Sequence, residues 1–147
     1  LTIILFLFAG SLACNNNNDD IDMSKIDFSN IDDLYSQPLP VLQKCIEGKW
    51  KWYASYGGVV GISYPQNTFV EFKDNHYIVT DENYQRTVFF SWKKLEILDY
   101  RFPNIVAYTI WDNELDNGIW YFDNIRNDTL GVGSYSAPFA HCFIKVK

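Results

Sequence analysis

Two histidines and three cysteines hold the most reactive side chains of this sequence of 147 residues. His76 lies beside a predicted tight turn, and His141 lies in the last predicted strand. Neither stands near a Ser or Cys in a nucleophile motif. Because neighbouring side chains of a strand point to opposite faces, His141 and Cys142 do not form a catalytic pair. The sequence therefore predicts no catalytic residue and no enzyme, and it places both histidines at the surface or the rim.

An acidic segment, residues 112–117, has carboxylates at alternate positions, as calcium-binding loops do. An EF-hand loop needs Gly at its sixth position and Glu at its twelfth. Counting from Asp112, Gly118 is the seventh residue and Asp123 is the twelfth, so the pattern fails. The segment is interpreted as a solvated hairpin loop, and the sequence predicts neither a metal site nor a cofactor.

Residues 57–65 form a second unusual segment, which is rich in Gly and apolar residues and holds no charge. It lacks the Gly-x-x-x-x-Gly-Lys-Ser/Thr sequence that binds phosphate, which argues against nucleotide binding. Two interpretations stay open: a lid over the open end of a barrel, or a wide turn packed on the surface.

The element that must position these segments begins at Gly48. From Trp50 onward the residues alternate, with Lys49 and Lys51 on one parity. The other parity holds Trp50, Trp52, Ala54 and Tyr56. A period of two predicts a half-buried strand with its rings inward and its ammonium groups outward.

Further strands are predicted from alternation and from turn residues between them. They cover residues 68–74, 76–80, 86–93, 95–101, 105–111, 118–123, 129–133 and 140–146. In the last of them, Cys142, Ile144 and Val146 are predicted to face opposite to His141 and Lys145. Eight or nine short strands at a spacing of roughly 8–12 residues predict an all-β, antiparallel up-and-down barrel, with a β-sandwich as the alternative.

Short helical turns are predicted in residues 29–47, before the first strand. Ser29 followed by Asp32 fits a capping box, and Pro40 suits the first turn of a second helix. Leu42, Cys45 and Ile46 share one face of that helix, and we expect the face to close one end of the barrel.

The composition of the chain limits the classes of partner that it is expected to bind. The net charge of −6 disfavours nucleic acid, whose binding proteins are basic. The 5 Trp, 10 Tyr and 11 Phe residues make up 18% of the chain. So many rings predict that some are exposed, line a cavity, or both.

Gly48-x-Trp50 at the start of the first strand, after a helix and before a run of strands, resembles the lipocalin-like barrels. The longer string through Gly57-Gly58 to Tyr64-Pro65, with a lipobox upstream, is similar to the small lipocalin-like lipoproteins of Gram-negative bacteria. The resemblance covers residues 46–147 and implies a barrel. The larger family has an Arg near the C-terminus that stacks on the Trp. Here we expect Lys145 or Lys147 to lie over Trp50 as a cation on a ring.

Ser11-Leu12-Ala13-Cys14 resembles the bacterial lipobox. It ends an uncharged apolar stretch that is shorter than the roughly 20 residues needed to span a bilayer, so residues 1–13 are interpreted as a signal peptide. Without an initiating Met or a basic leader, this signal peptide is interpreted as truncated. The resemblance implies lipidation of Cys14 and an outer-membrane lipoprotein that is periplasmic or surface-exposed. Residues 14–28 are predicted to be a disordered tether.

Lipidation of Cys14 would leave Cys45 and Cys142 as a pair in an oxidising compartment. The first and last strands of a closed barrel are neighbours, so a disulfide between the two cysteines is predicted. Such a bridge would stabilise the fold by about 4–5 kcal/mol on the chain-entropy model. Two separately buried thiols are the alternative.

Two functions from different classes remain. In the first, the barrel binds a small hydrophobic or amphipathic ligand at its open end. The residues expected to line that site are Trp52, Tyr56, Phe72, Phe90 and Trp92. In the second, the chain is a non-enzymatic interaction or structural lipoprotein, since eight-stranded barrels are narrow enough to be filled by their own side chains. Its partner would be an envelope or host protein, and in both cases we expect a monomer.

Overall fold

The computed structural model describes residues 26–28, 30–59, 61–99, 102–112, 119–134 and 139–147. Cys14 and most of the predicted tether lie outside these residues. The helices are α1 (Ile31–Ser36) and α2 (Leu39–Ile46). The strands are β1 (Asp27–Phe28), β2 (Gly48–Gly57), β3 (Gly61–Ser63), β4 (Phe69–Lys73), β5 (His76–Thr80), β6 (Gln85–Asp99), β7 (Phe102–Asp112), β8 (Ile119–Arg126), β9 (Thr129–Ser134) and β10 (Phe139–Lys145). Neither described helix is long and apolar enough to cross a membrane.

Eight of these strands form a closed antiparallel barrel. Hydrogen bonds join β2, β4, β5, β6, β7, β8, β9 and β10 in that order, and β10 pairs back with β2. This closure confirms the predicted all-β up-and-down barrel and excludes the sandwich. β3 pairs with β2 beyond the end of β4, and β1 pairs with β8 beyond the end of β7.

Alternating burial explains why these segments form strands. In β4, Phe72 is buried while Glu71 is exposed, as a period of two requires. Asp74 takes a φ of 51°, which Asp tolerates better than most residues, and so turns the chain tightly into β5. The predicted strands at 68–74 and 76–80 are confirmed, with their ends shifted by no more than one residue.

The barrel interior is filled by rings and branched aliphatic side chains. The large apolar side chains that are fully buried include Trp50, Phe72, Phe122, Phe143, Leu34, Ile110, Ile125, Leu130, Val70 and Val132. Rings also contact one another across this interior, for example Trp92 and Phe122 with centroids 5.9 Å apart. Each such side chain stabilises the fold by about 1.5–3 kcal/mol.

One end of the barrel is closed by α2, as predicted. Its Ile46 is buried in the core, and the Ile46 carbonyl accepts a 2.7 Å hydrogen bond from Trp50 Nε1. Lys145 Nζ lies 4.7 Å from the centroid of the Trp50 ring and donates a 3.0 Å hydrogen bond to the Glu47 carbonyl. The lysine therefore takes the place expected for a cation over the Trp. We call this the helical end and the opposite one the far end.

The N-terminal details differ from the prediction. The N-cap of α1 is Asn30 rather than Ser29, because the Asn30 side chain accepts a 3.0 Å hydrogen bond from the Asp32 backbone N–H. The predicted tether ends before Asp27, which pairs with Arg126 of β8 through the backbone and through an ion pair of 3.6 Å.

The two strands predicted at 86–93 and 95–101 are one strand, β6. Nothing between them breaks a strand, since Lys93-Lys94-Leu95 holds no Gly, Pro, Asn or Asp. The ladder to β7 continues through these residues without interruption.

The predicted facing of the last strand is wrong. Phe143 is fully buried, whereas Ile144 and Val146 are 37% and 40% exposed. β10 itself alternates regularly, because the bulge in its ladder with β2 lies in β2, where Cys142 pairs with Ala54 and Phe143 with Trp52 so that Tyr53 is skipped. The prediction chose the wrong face for this strand, because the ring of Phe143 takes the inward position and the branched aliphatic residues turn outward.

The predicted disulfide is not formed, because Cys45 and Cys142 are both free thiols. Cys45 is buried on α2 close to Lys145, and Cys142 lies three residues before Lys145 with the opposite parity. Three residues of strand place Cys142 about 10 Å along β10 from Lys145, on the outer face, whereas Cys45 is buried in the core. Burial raises the pKa of the Cys45 thiol to about 11, and burial also raises the pKa of Cys142.

Candidate ligand-binding groove and interior histidine

A groove of about 440 Å³ lies at the helical end, between α2 and the β4–β5 turn. We call it the α2 groove. It is lined by Pro40, Gln43, Lys44, Ile46, Glu47, Phe72, Lys73, Asp74, Asn75 and Trp92.

The groove forms because α2 is amphipathic and buries only one of its faces in the core. The helix buries Leu42, Cys45 and Ile46 in the core. One turn along the helix brings Gln43 and Glu47 to the same side, so they stand over the groove rather than in the core. The tight turn after β4 forms the facing wall.

Rings form the apolar part of this groove and charges form its edge. Phe72 is only 1% exposed and Trp92 is half-buried, so both rings are held in place by the core. Two cations, Lys44 and Lys73, are balanced by Glu47 and Asp74 in the lining. Such a lining suits a ligand with an apolar body and a polar end.

Trp92 adds a hydrogen-bond donor. Its Nε1 is buried and has no hydrogen-bond partner among the described residues. A buried donor left unpaired costs about 1–3 kcal/mol. An acceptor atom that reached this nitrogen would remove that cost.

The five rings predicted to line one site are not brought together. Phe72 and Trp92 line the α2 groove, and Phe90 is buried in the core. Trp52 lies with His141, away from the groove. Tyr56 was predicted to face inward, but it is 42% exposed on the outer face, because the bulge shifts the facing of β2 by one residue after Trp52.

A second cluster of polar side chains lies on the inward face of the barrel, around His141. Its Nδ1 is 2.9 Å from Ser55 Oγ, which also accepts a 2.9 Å hydrogen bond from Trp52 Nε1. The rings of Trp52 and Trp120 lie 4.9 and 5.7 Å from the imidazole. Burial lowers the pKa of His141, so the imidazole is neutral at pH 7.

The predicted outward facing of His141 is therefore wrong, since the half-buried ring lies on the inward face, two residues from the start of β10. Ser55 and His141 are cross-strand partners whose side chains share the interior face. The signal that could have found this was Phe143, since the largest ring of the last strand sets the inward parity that His141 shares.

The Ser55–His141 contact is not a complete triad in the described part of the chain. The hydrogen bond that His141 makes there is to Ser55 alone, and no carboxylate orients the imidazole. Among the described residues, no group of three His, Cys, Asp or Glu side chains could hold a metal ion. Residues 113–118 of the acidic loop lie outside those residues, while Asp112 is buried beside the Tyr77 hydroxyl at 3.4 Å.

No family model, curated protein or solved structure matches this chain.

Proposed function

We propose that this chain is a lipid-anchored, non-catalytic envelope protein whose lipocalin-like barrel binds a small amphipathic ligand in the α2 groove. The observation that carries the proposal is the groove itself, which joins two of the predicted rings, Phe72 and Trp92, to a charged edge. Ligand sites typically have volumes of about 300–1,000 Å³ and combine apolar walls with a few polar groups. The α2 groove has both properties.

The ligand lies with its apolar body on the half-buried Trp92 ring, above Phe72 and Ile46, which are 1% and 2% exposed and form the floor of the groove. Its polar end stays at the solvent-facing edge, near Lys73 and Asn75. Because Phe72 and Ile46 are already fixed in the core, binding orders few side chains and loses little conformational entropy.

Attachment to the membrane rests on the lipobox. Cys14 carries the lipid, and the tether lets the barrel stand off the outer membrane. Labelled palmitate fed to a Gram-negative host expressing the full chain should be incorporated into the protein and should be lost in Cys14→Ser. Equal labelling of the two proteins would refute the lipidation.

A second candidate is favoured by the filled interior. Trp50, Phe122 and Phe143 are fully buried, so the middle of the barrel has little room for a ligand. In this alternative the chain is a non-enzymatic interaction or structural lipoprotein, and the α2 groove is a surface feature.

Native mass spectrometry separates the two functions. Protein from the envelope of its host should carry a stoichiometric small molecule, which organic extraction releases and identifies as amphipathic. A mass equal to that of the protein alone, together with no binding of fatty acids or bile-type sterols, would favour the filled barrel and a protein partner.

A further inference from the structure

Exposed apolar side chains are concentrated on the β2–β3 hairpin. Of the eleven large hydrophobic residues that are exposed in the described part of the chain, six lie on this hairpin, just after it, or on the strand beside it. We call them the hairpin patch: Tyr53, Tyr56, Val59, Ile62, Tyr64 and Phe139. Val59 is fully exposed, and Ile62 and Tyr64 are 52% and 55% exposed.

Members of the patch contact one another or the hairpin backbone. Tyr53 and Tyr64 form an edge-to-face ring pair with centroids 6.0 Å apart. Tyr56 pairs with Ile62 across the hairpin. The Phe139 ring packs against Gly58, where a Cβ would lie 2.8 Å from the ring. The exposed Val59 follows Gly58 at the tip of the same hairpin.

The patch carries no charge. The sequence from Trp52 to Val70 holds no Asp, Glu, Lys or Arg, although these residues make up 20% of the chain. In the described part of the chain, β3 pairs with β2 alone. Natural proteins usually protect such edges with charges, so an uncharged one indicates a contact surface.

We propose that the hairpin patch docks on the interface of a zwitterionic lipid bilayer. Val59 and Ile62 enter the boundary of the hydrocarbon, and the phenol rings of Tyr53, Tyr56 and Tyr64 lie at the level of the headgroups, where amphipathic rings are favoured. The chain's net charge of −6 disfavours an anionic surface, so attraction depends on the apolar side chains.

Proximity to a bilayer follows from the proposed lipid on Cys14. Ile26 adjoins β1 at the helical end, and β2 runs about 33 Å from there to the far end. The 12 residue steps from Cys14 to Ile26 extend to at most about 40 Å, so an extended tether lets the anchor and the patch reach the same bilayer. The patch lies at the far end and the α2 groove at the helical end. Docking through the patch therefore turns the groove away from the lipid. The inference goes beyond ligand binding and does not depend on it.

Flotation with phosphatidylcholine vesicles tests the proposal. The protein used is the chain from Asn15 onward, which lacks the apolar segment and the lipid and keeps every described helix and strand. It should float with the vesicles, and V59D/I62D should lower its partition by about tenfold or more, because two charges must leave the interface. The matched control is F89D/V106D, which adds the same charges at positions 59% and 47% exposed away from the hairpin, since Phe89 pairs with His76 at the helical end. This control should float like the unmodified chain.

Three results would overturn the proposal: no flotation of the unmodified chain, equal loss in both double variants, or binding to anionic vesicles alone. A dimer that V59D/I62D dissociates, without flotation, would instead assign the patch to self-association. If V59D/I62D loses its native circular dichroism, the single variant Val59→Asp, at a fully exposed turn position, replaces it.

Discussion

Replacement of Lys145 by Met should destabilise the barrel, because this side chain joins the last strand to the end of α2 and to the Trp50 ring. Its ammonium group lies over the Trp50 ring and donates to the Glu47 carbonyl. Met keeps the apolar stem and removes only the charge and the donor.

The magnitude follows from those two contacts. A partly exposed cation–π contact contributes about 0.5–1 kcal/mol, and a hydrogen bond from a charged group contributes about 1.5 kcal/mol at the low end of its range. Lys145 is partly buried, and burial lowers its pKa, so desolvation of the charge offsets part of this gain. We expect the free energy of unfolding to fall by about 1–2 kcal/mol and the melting temperature to fall by roughly 4–8 °C.

Urea unfolding followed by tryptophan fluorescence measures this loss. The matched control is Lys147→Met, which removes the same charge from an exposed residue two positions later. Its unfolding midpoint should change by no more than a few tenths of a kcal/mol in free energy. Equal losses in the two variants would show that Lys145 acts only through the net charge and would refute the account of the helical end.

Two further predictions follow from groups whose pKa is shifted. Burial lowers the pKa of His141, so the unfolded chain binds a proton at this residue more readily than the folded chain. The free energy of unfolding should therefore fall as the pH drops below about 6.5. This fall should disappear in His141→Gln but persist in His76→Gln. An unchanged acid slope in His141→Gln would contradict the interior placement of this residue. Cys45 and Cys142 should both be alkylated when the protein is denatured without reductant. In the native protein at pH 8, Cys45 should be alkylated more slowly than Cys142, since burial raises the pKa of Cys45 to about 11. A mass that shows no label before reduction would restore the disulfide.

The sequence predicted the barrel because alternation and turn chemistry are local. Phe72 and Glu71 alternate in burial, and Asp74 makes the turn that its residue type favours. The closing helix was also predictable, since Ile46 and its neighbours repeat at helical spacing.

The bulge in β2 could not be predicted, because it depends on a partner strand about 90 residues away. It decides the facing of Tyr56, and the parity of Phe143 decides that of His141. The bulge thus moves one predicted ligand residue to the surface and turns Ser55 inward, opposite His141. The α2 groove was missed for a similar reason, since it forms only where α2 meets the turn after β4.

The most direct test of ligand binding in the α2 groove compares two tryptophan variants by native mass spectrometry and extraction. Gln43→Trp fills the groove from the helix, whereas Thr87→Trp places the same ring at an exposed position of β6. The groove account predicts that the unmodified chain and Thr87→Trp carry the same stoichiometric amphipathic molecule and that Gln43→Trp has lost it. Retention of that molecule by Gln43→Trp, or a ligand-free mass for all three proteins, would contradict it.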